Sequence, residues 1–225
     1  MDESEEEKVF RVRDCALITR MAGISSALNL RELRERVATC PLESLYHHFC
    51  ETVIRASFDD PEFRNDLAVW SARSLGDRVL AERLGILNPY SLTDMENLRE
   101  QVVDLIDDRL AEDRRCTWML ARDEFRFLQA ATVVFDTGLT LEVLDDLVEA
   151  LPQMSDSTLY YHFVEARRRP PVGHDDFSCW LRGLPGETAW LEEALASIDF
   201  YFLNLRELKR ELVAVVQTET SGGVS

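Results

Sequence analysis

The chain has 225 residues, 46% of them apolar and 30% charged, a balance that fits a folded protein and excludes disordered, collagen-like and disulfide-scaffold classes. A formal net charge of −17, with no basic stripe interleaved with aromatics, repels nucleic-acid phosphates and anionic lipid, so neither nucleic acid nor membrane is expected as a partner. Five cysteines without a CxxC pair read as reduced thiols, and an acidic N-terminus with no apolar run near the roughly twenty residues of a bilayer span points to the cytoplasm.

Residues 1–9 read as a disordered acidic tail. Phe10–Ile18, dense in apolar and β-branched residues, fits either a helix or a short buried strand, and helix is the preferred reading. Asn29 followed by Glu32 signals a helix start before the amphipathic run Leu30–Val37. Leu45-Tyr46-His47-His48-Phe49 continues in helical spacing, and Asp60 before Pro61 marks a further start ahead of Asp66 and Trp70. Ser91 with Asp94 opens a helix whose stripe is Leu92, Met95, Leu98, Val102, Leu105, Ile106 and Leu110. Residues 111–124 form a charged joint expected to be helical. Beyond it, Phe125–Phe135 resembles the opening segment, Leu144–Leu151 is amphipathic, and Pro170-Pro171 and Gly183–Gly186 stop helices. Residues 218–225, rich in Ser and Gly, read as a second disordered tail.

The two halves match each other. Leu45-Tyr46-His47-His48-Phe49 aligns with Leu159-Tyr160-Tyr161-His162-Phe163, Asn65-Asp66 and Trp70 with Asp175-Asp176 and Trp180, and Asn97-Leu98-Arg99-Glu100 with Asn204-Leu205-Arg206-Glu207. Register drifts only where loops would lie. The expected architecture is all-α: two tandem homologous helical repeats over 10–110 and 125–217, with a short strand at the start of each as the alternative.

Each half thereby offers His, Asp and Trp. In one reading the imidazoles of His48 and His162 donate to Asp66 and Asp176 inside a helical layer, satisfying polar groups that are costly to bury alone. In the other, the carboxylates orient the imidazoles as general bases or anion binders. Tyr46, Trp70, Tyr160 and Trp180 are ligand-binding candidates beside them, and Arg167 and Arg168 are candidates for gripping a phosphate or an acidic partner. No metal is expected. Adjacent His47 and His48 diverge by about 100° on a helix, there is no HxxxH or HExxH spacing, and no cofactor motif accompanies the set.

Asn29-Leu-Arg-Glu-Leu33, Leu45-Tyr-His-His-Phe49 and Asp176-Phe-Ser-Cys-Trp180, in that order and with Leu75-Gly76-Asp77, resemble an uncharacterised prokaryotic family of unknown function. The resemblance brings no activity; the placing of relatives near glycosyltransferase or trehalose-pathway genes implies a link to carbohydrate metabolism. Only the glycine of the Leu-Gly-Asp turn recurs in the second half, at Pro185-Gly186-Glu187. The preferred expectation is a non-catalytic binding or regulatory protein with a protein or small-molecule partner. Its rivals are a hydrolase or transferase acting on a sugar or phosphorylated metabolite through the His/Asp pairs, and an architectural homodimer.

Overall fold

The computed structural model describes residues 9–54, 63–170, 173–185 and 188–222. The readings of residues 1–8 and 223–225 as tail, of Asp60-Pro61 as a helix start, and of Pro171 and Gly186-Glu187 as breaks lie outside the described residues.

The expectation of an all-α fold is overturned by two long strands, β1 (Phe10–Met21) and β2 (Leu128–Leu141), which pair as a two-stranded antiparallel sheet. Both openings preferred as helices are therefore extended. In β1 the alternation is present: Phe10 and Val12 are buried, whereas Arg11 and Arg13 are exposed. In β2 the positions from Ala131 to Thr140 are all exposed, so no buried side imprints a period on the sequence.

The remaining elements are helical. They are α1 (Leu30–Val37), α2 (Leu42–Cys50), α3 (Asp66–Trp70), α4 (Arg78–Gly85), α5 (Met95–Glu112), α6 (Leu144–Ala150), α7 (Asp156–Leu159), α8 (Asp176–Leu181), α9 (Ala189–Ala196) and α10 (Leu205–Gly222). π-Helical turns extend α3 over Ser71–Leu75 and α7 over Tyr160–Val164. Of the joint read over 111–124, Ala111 and Glu112 finish α5 and Arg114–Thr117 form a 3-10 turn.

Helix starts follow local chemistry. Asn29 accepts from the Glu32 amide at 2.9 Å while Glu32 reaches back to the Leu28 amide at 2.8 Å, and Asn204 and Glu207 repeat this reciprocal cap on α10. The start read at Ser91 lies three residues further on, where Asp94 caps Asn97; the Ser91 hydroxyl instead donates to the Asn88 carbonyl.

The chain divides into two compact units whose boundaries fall within both strands. The central unit is Leu17–Ala131; the flanking unit combines Met1–Ala16 with Thr132–Ser225. Helices α1 to α5 thus take Phe125 and Phe127, just ahead of β2, into their core, beside Leu33, Leu45, Phe49, Leu67, Leu98 and Ile106. Helices α6 to α10 share their unit with Phe10, Val12 and Cys15, all buried.

Candidate functional site

In the central unit His48 stands on α2, and Asp66 is the first residue of α3, whose start is fixed by Asn65 accepting from the Ala68 amide. His48 Nδ1 lies 2.7 Å from Asp66 Oδ2, and His48 Nε2 accepts the Leu128 amide at 3.0 Å. One turn earlier on α2, the Ser44 hydroxyl donates to the Leu128 carbonyl at 2.7 Å. A nitrogen that accepts an N–H carries no proton, so the imidazole is neutral with its hydrogen on Nδ1, donated to the carboxylate. The helix thereby satisfies both backbone groups of one residue on the outer edge of β2. His48 is 2% exposed, whereas the Asp66 side chain is 33% exposed. Phe125 packs against His48 at 4.8 Å and Trp70 at 5.9 Å between ring centroids, and Trp70 Nε1 donates to the Asp123 carbonyl at 2.7 Å. The open side is a shallow concavity of about 250 Å³ bordered by Asp66, Trp70, Arg73, Glu124 and Arg126.

In the flanking unit His162 lies in the π-turn that follows α7, and Asp176 opens α8 behind an Asp175 cap. His162 Nδ1 is 2.7 Å from Asp176 Oδ2, and Nε2 accepts the Arg13 amide of β1 at 2.8 Å. Phe10 packs against His162 at 4.8 Å, Phe177 at 5.3 Å and Trp180 at 5.5 Å. His162 is 3% exposed and the Asp176 side chain 32%. Asp176 Oδ2 also receives Arg169 Nη2 at 2.9 Å, and that guanidinium lies 4.2 Å over the Tyr161 ring.

The remaining candidates scatter into packing. Tyr160 is wholly buried, Trp70 and Trp180 nearly so, and Tyr46 is half-buried against the central core. Arg167 is an interior cation: Nη2 meets Asp175 at 3.1 Å, and the guanidinium sits over the Phe163 and Phe200 rings. Burial pulls its pKa down, opposed by the Asp175 charge, and burial pushes the Asp175 carboxyl up. Arg168, its neighbour, is of intermediate exposure.

Three further groups have roles that only the structure gives. His47 and Glu51 form a second, fully interior pair at 2.7 Å, for which their i,i+4 spacing was a usable signal. Within the run Arg167-Arg168-Arg169 it is Arg169 that turns to Asp176. Asp77 caps the Leu80 amide and receives Arg109 Nε at 2.7 Å, behind a Gly76 with φ of 77°. That left-handed glycine and buried cap are what the Leu75-Gly76-Asp77 turn encodes. Among the described residues, no group of three His, Cys, Asp or Glu side chains is placed to hold a metal ion, and no helix is long and apolar enough to cross a membrane.

The profile of a family of unknown function matches residues 7–217. The chain belongs to that family, DUF5752. The match takes in both His/Asp pairs, both strands and the Leu-Gly-Asp turn. Among solved structures the chain is similar to OrfY from Thermoproteus tenax, with a TM-score of 0.76 and 27% sequence identity over 95% of this chain and 96% of that one. Among curated proteins none matches.

Proposed function

We propose that this DUF5752 chain is a non-catalytic binding or regulatory protein, linked to carbohydrate and glycosyltransferase metabolism, built from a duplicated unit over 10–110 and 125–217. The observation that carries the reading is the use of both imidazole nitrogens in each half. A general base needs a free lone pair within reach of a substrate proton. In His48 and His162 the lone pair receives a strand amide and the N–H is turned to a carboxylate, so each ring is spent on fastening a strand to a helix. The same partners recur at aligned residues, which supports descent of both halves from one unit whose opening strand now serves the other half's helices.

The reading is tested by affinity capture with crosslinking in an extract of the native host, alongside a thermal-shift screen of sugars, sugar phosphates and nucleotide sugars. A specific partner or ligand retained by an Asp66→Asn variant is expected. Turnover of a screened metabolite that disappears in a folded Asp66→Asn variant would replace this reading with the enzymatic one.

A further inference from the structure

Many of the arginines in this acid-rich chain are committed to carboxylates. Arg34 meets Asp107, Arg109 meets Asp77, Arg167 meets Asp175 and Arg182 meets Glu192. Arg206 and Arg210, one turn apart on α10, are among those that are not: neither guanidinium has an ion-pair or hydrogen-bond partner among the described residues. Both line an open concavity of about 730 Å³ in the flanking unit, together with Lys209, Pro152, Asp156 and Gln217. Lys209 Nζ donates to the Met154 carbonyl at 2.7 Å, which fixes the ammonium at the wall and leaves two of its three N–H directions for another acceptor.

Like charges at i,i+4 repel, so an uncompensated Arg206/Arg210 pair beside an ammonium is a local positive potential that an anion relieves. The forked donors of two guanidiniums suit the oxygens of a phosphate. Asp156, the one acid on the lining, disfavours extended polyanions and can accept from a hydroxyl.

The two halves differ at the residues of the groove. In the Asn-Leu-Arg-Glu register α5 of the central unit carries Val102 and Val103 where α10 has Lys209 and Arg210, and Arg99, in the place of Arg206, pairs with Glu96 and donates to the Val37 carbonyl. Two cations, Lys209 and Arg210, thus distinguish one half from the other, Lys209 standing where the central unit buries Val102, and the third, Arg206, differs from Arg99 in having no carboxylate partner among the described residues.

We infer that the groove along α10 binds a phosphomonoester dianion carried by a small soluble metabolite. This names a ligand class for the binding role above and rests on it. Isothermal titration with inorganic phosphate and with glycerol 3-phosphate tests it, with glycerol as the uncharged control and phosphatidic acid vesicles presenting the same group on a lipid. Millimolar or tighter binding of both phosphates is expected, weakened at least tenfold in Arg206→Gln/Arg210→Gln and by added salt, with no heat from glycerol. Amide shifts of α10 in the wild-type protein on adding glycerol 3-phosphate give a second readout independent of any variant. No binding of either phosphate, equal binding by the double variant, shifts outside the groove, or association with vesicles alone would each overturn the site. Loss of the phosphate with partner capture intact would remove this site and leave the binding role standing.

Discussion

The amide of Arg13 donates to Nε2 of His162 at 2.8 Å across 149 residues of sequence. The bond joins the outer edge of β1 to a helical turn far along the chain, and the Asp176 carboxylate on the other side of the ring selects the tautomer that can accept it. The imidazole therefore acts as a surrogate for a neighbouring strand.

Replacing His162 by Ala leaves the Arg13 amide and a half-buried carboxylate without their partner and opens a void. Unfolding in urea should show a loss of roughly 3 kcal/mol. His48→Ala should cost a similar amount, because Leu128 then loses its acceptor. A change below about 0.5 kcal/mol, the scale of ordinary surface substitutions, would mean that the rings are not structural.

Phe10→Ala removes a ring packed on His162, Phe177 and Trp180, with an expected cost of about 3 kcal/mol or more. Hydrogen exchange locates the damage. Protection should fall in α7, α8 and α10, and α1 and α2, which follow Phe10 directly in sequence, should keep theirs.

Glu165 supplies a pH dependence. Burial pushes its carboxyl above the ordinary value, with Arg169 opposing. A raised folded-state pKa means that the native protein holds the proton more tightly, so the stabilisation is complete below the unfolded value of about 4.3 and is lost as pH rises through the folded one. Glu165→Gln removes this loss. The stability of the variant relative to wild type should rise between about pH 4.3 and neutrality, and a flat difference across that range in thermal melts would contradict the placement.

Cysteine reactivity should follow burial. Desolvation pushes the Cys40 thiol up to about 11, and Cys179, of intermediate exposure, is raised less. With a disulfide reagent at pH 8, Cys179 should react first and Cys40 only on unfolding. Modification of Cys40 in the native protein would disprove its seclusion.

Gly76→Ala tests the turn ahead of α4. A Cβ there meets nothing within 4 Å, so the cost, about 1 kcal/mol, is purely that of a left-handed backbone. Asp77→Ala should cost more, since it removes the cap and leaves Arg109 without its nearest carboxylate.

Local chemistry was readable from the sequence where partners lie within a helical turn or on repeated motifs. Asn29 and Glu32 announced their reciprocal cap, and the recurrence of His and Asp in each half pointed to two pairs that do meet at 2.7 Å. The strands were legible only as the alternative to helix at each opening, and their length was not. Phe125 to Phe135 lacks alternation because most of β2 is exposed, and its apolar density resembles a buried helix. What each ring does with its second nitrogen was also hidden, since the Leu128 and Arg13 amides arrive from distant parts of the chain. The role of Arg169 is hidden for a related reason: in a run of three arginines only the fold decides which one turns to Asp176.

Because the unit boundary cuts both strands, synthesis order and folding order diverge. Phe10 to Ala16 leave the ribosome before the central unit yet share their unit with residues beyond 131, so this segment waits for the whole central unit to be made before it can be buried. The central unit, Leu17–Ala131, is continuous in sequence, whereas the flanking unit cannot be cut out as one contiguous fragment. The long loops that must close before these contacts form predict slow folding for a chain so rich in helix.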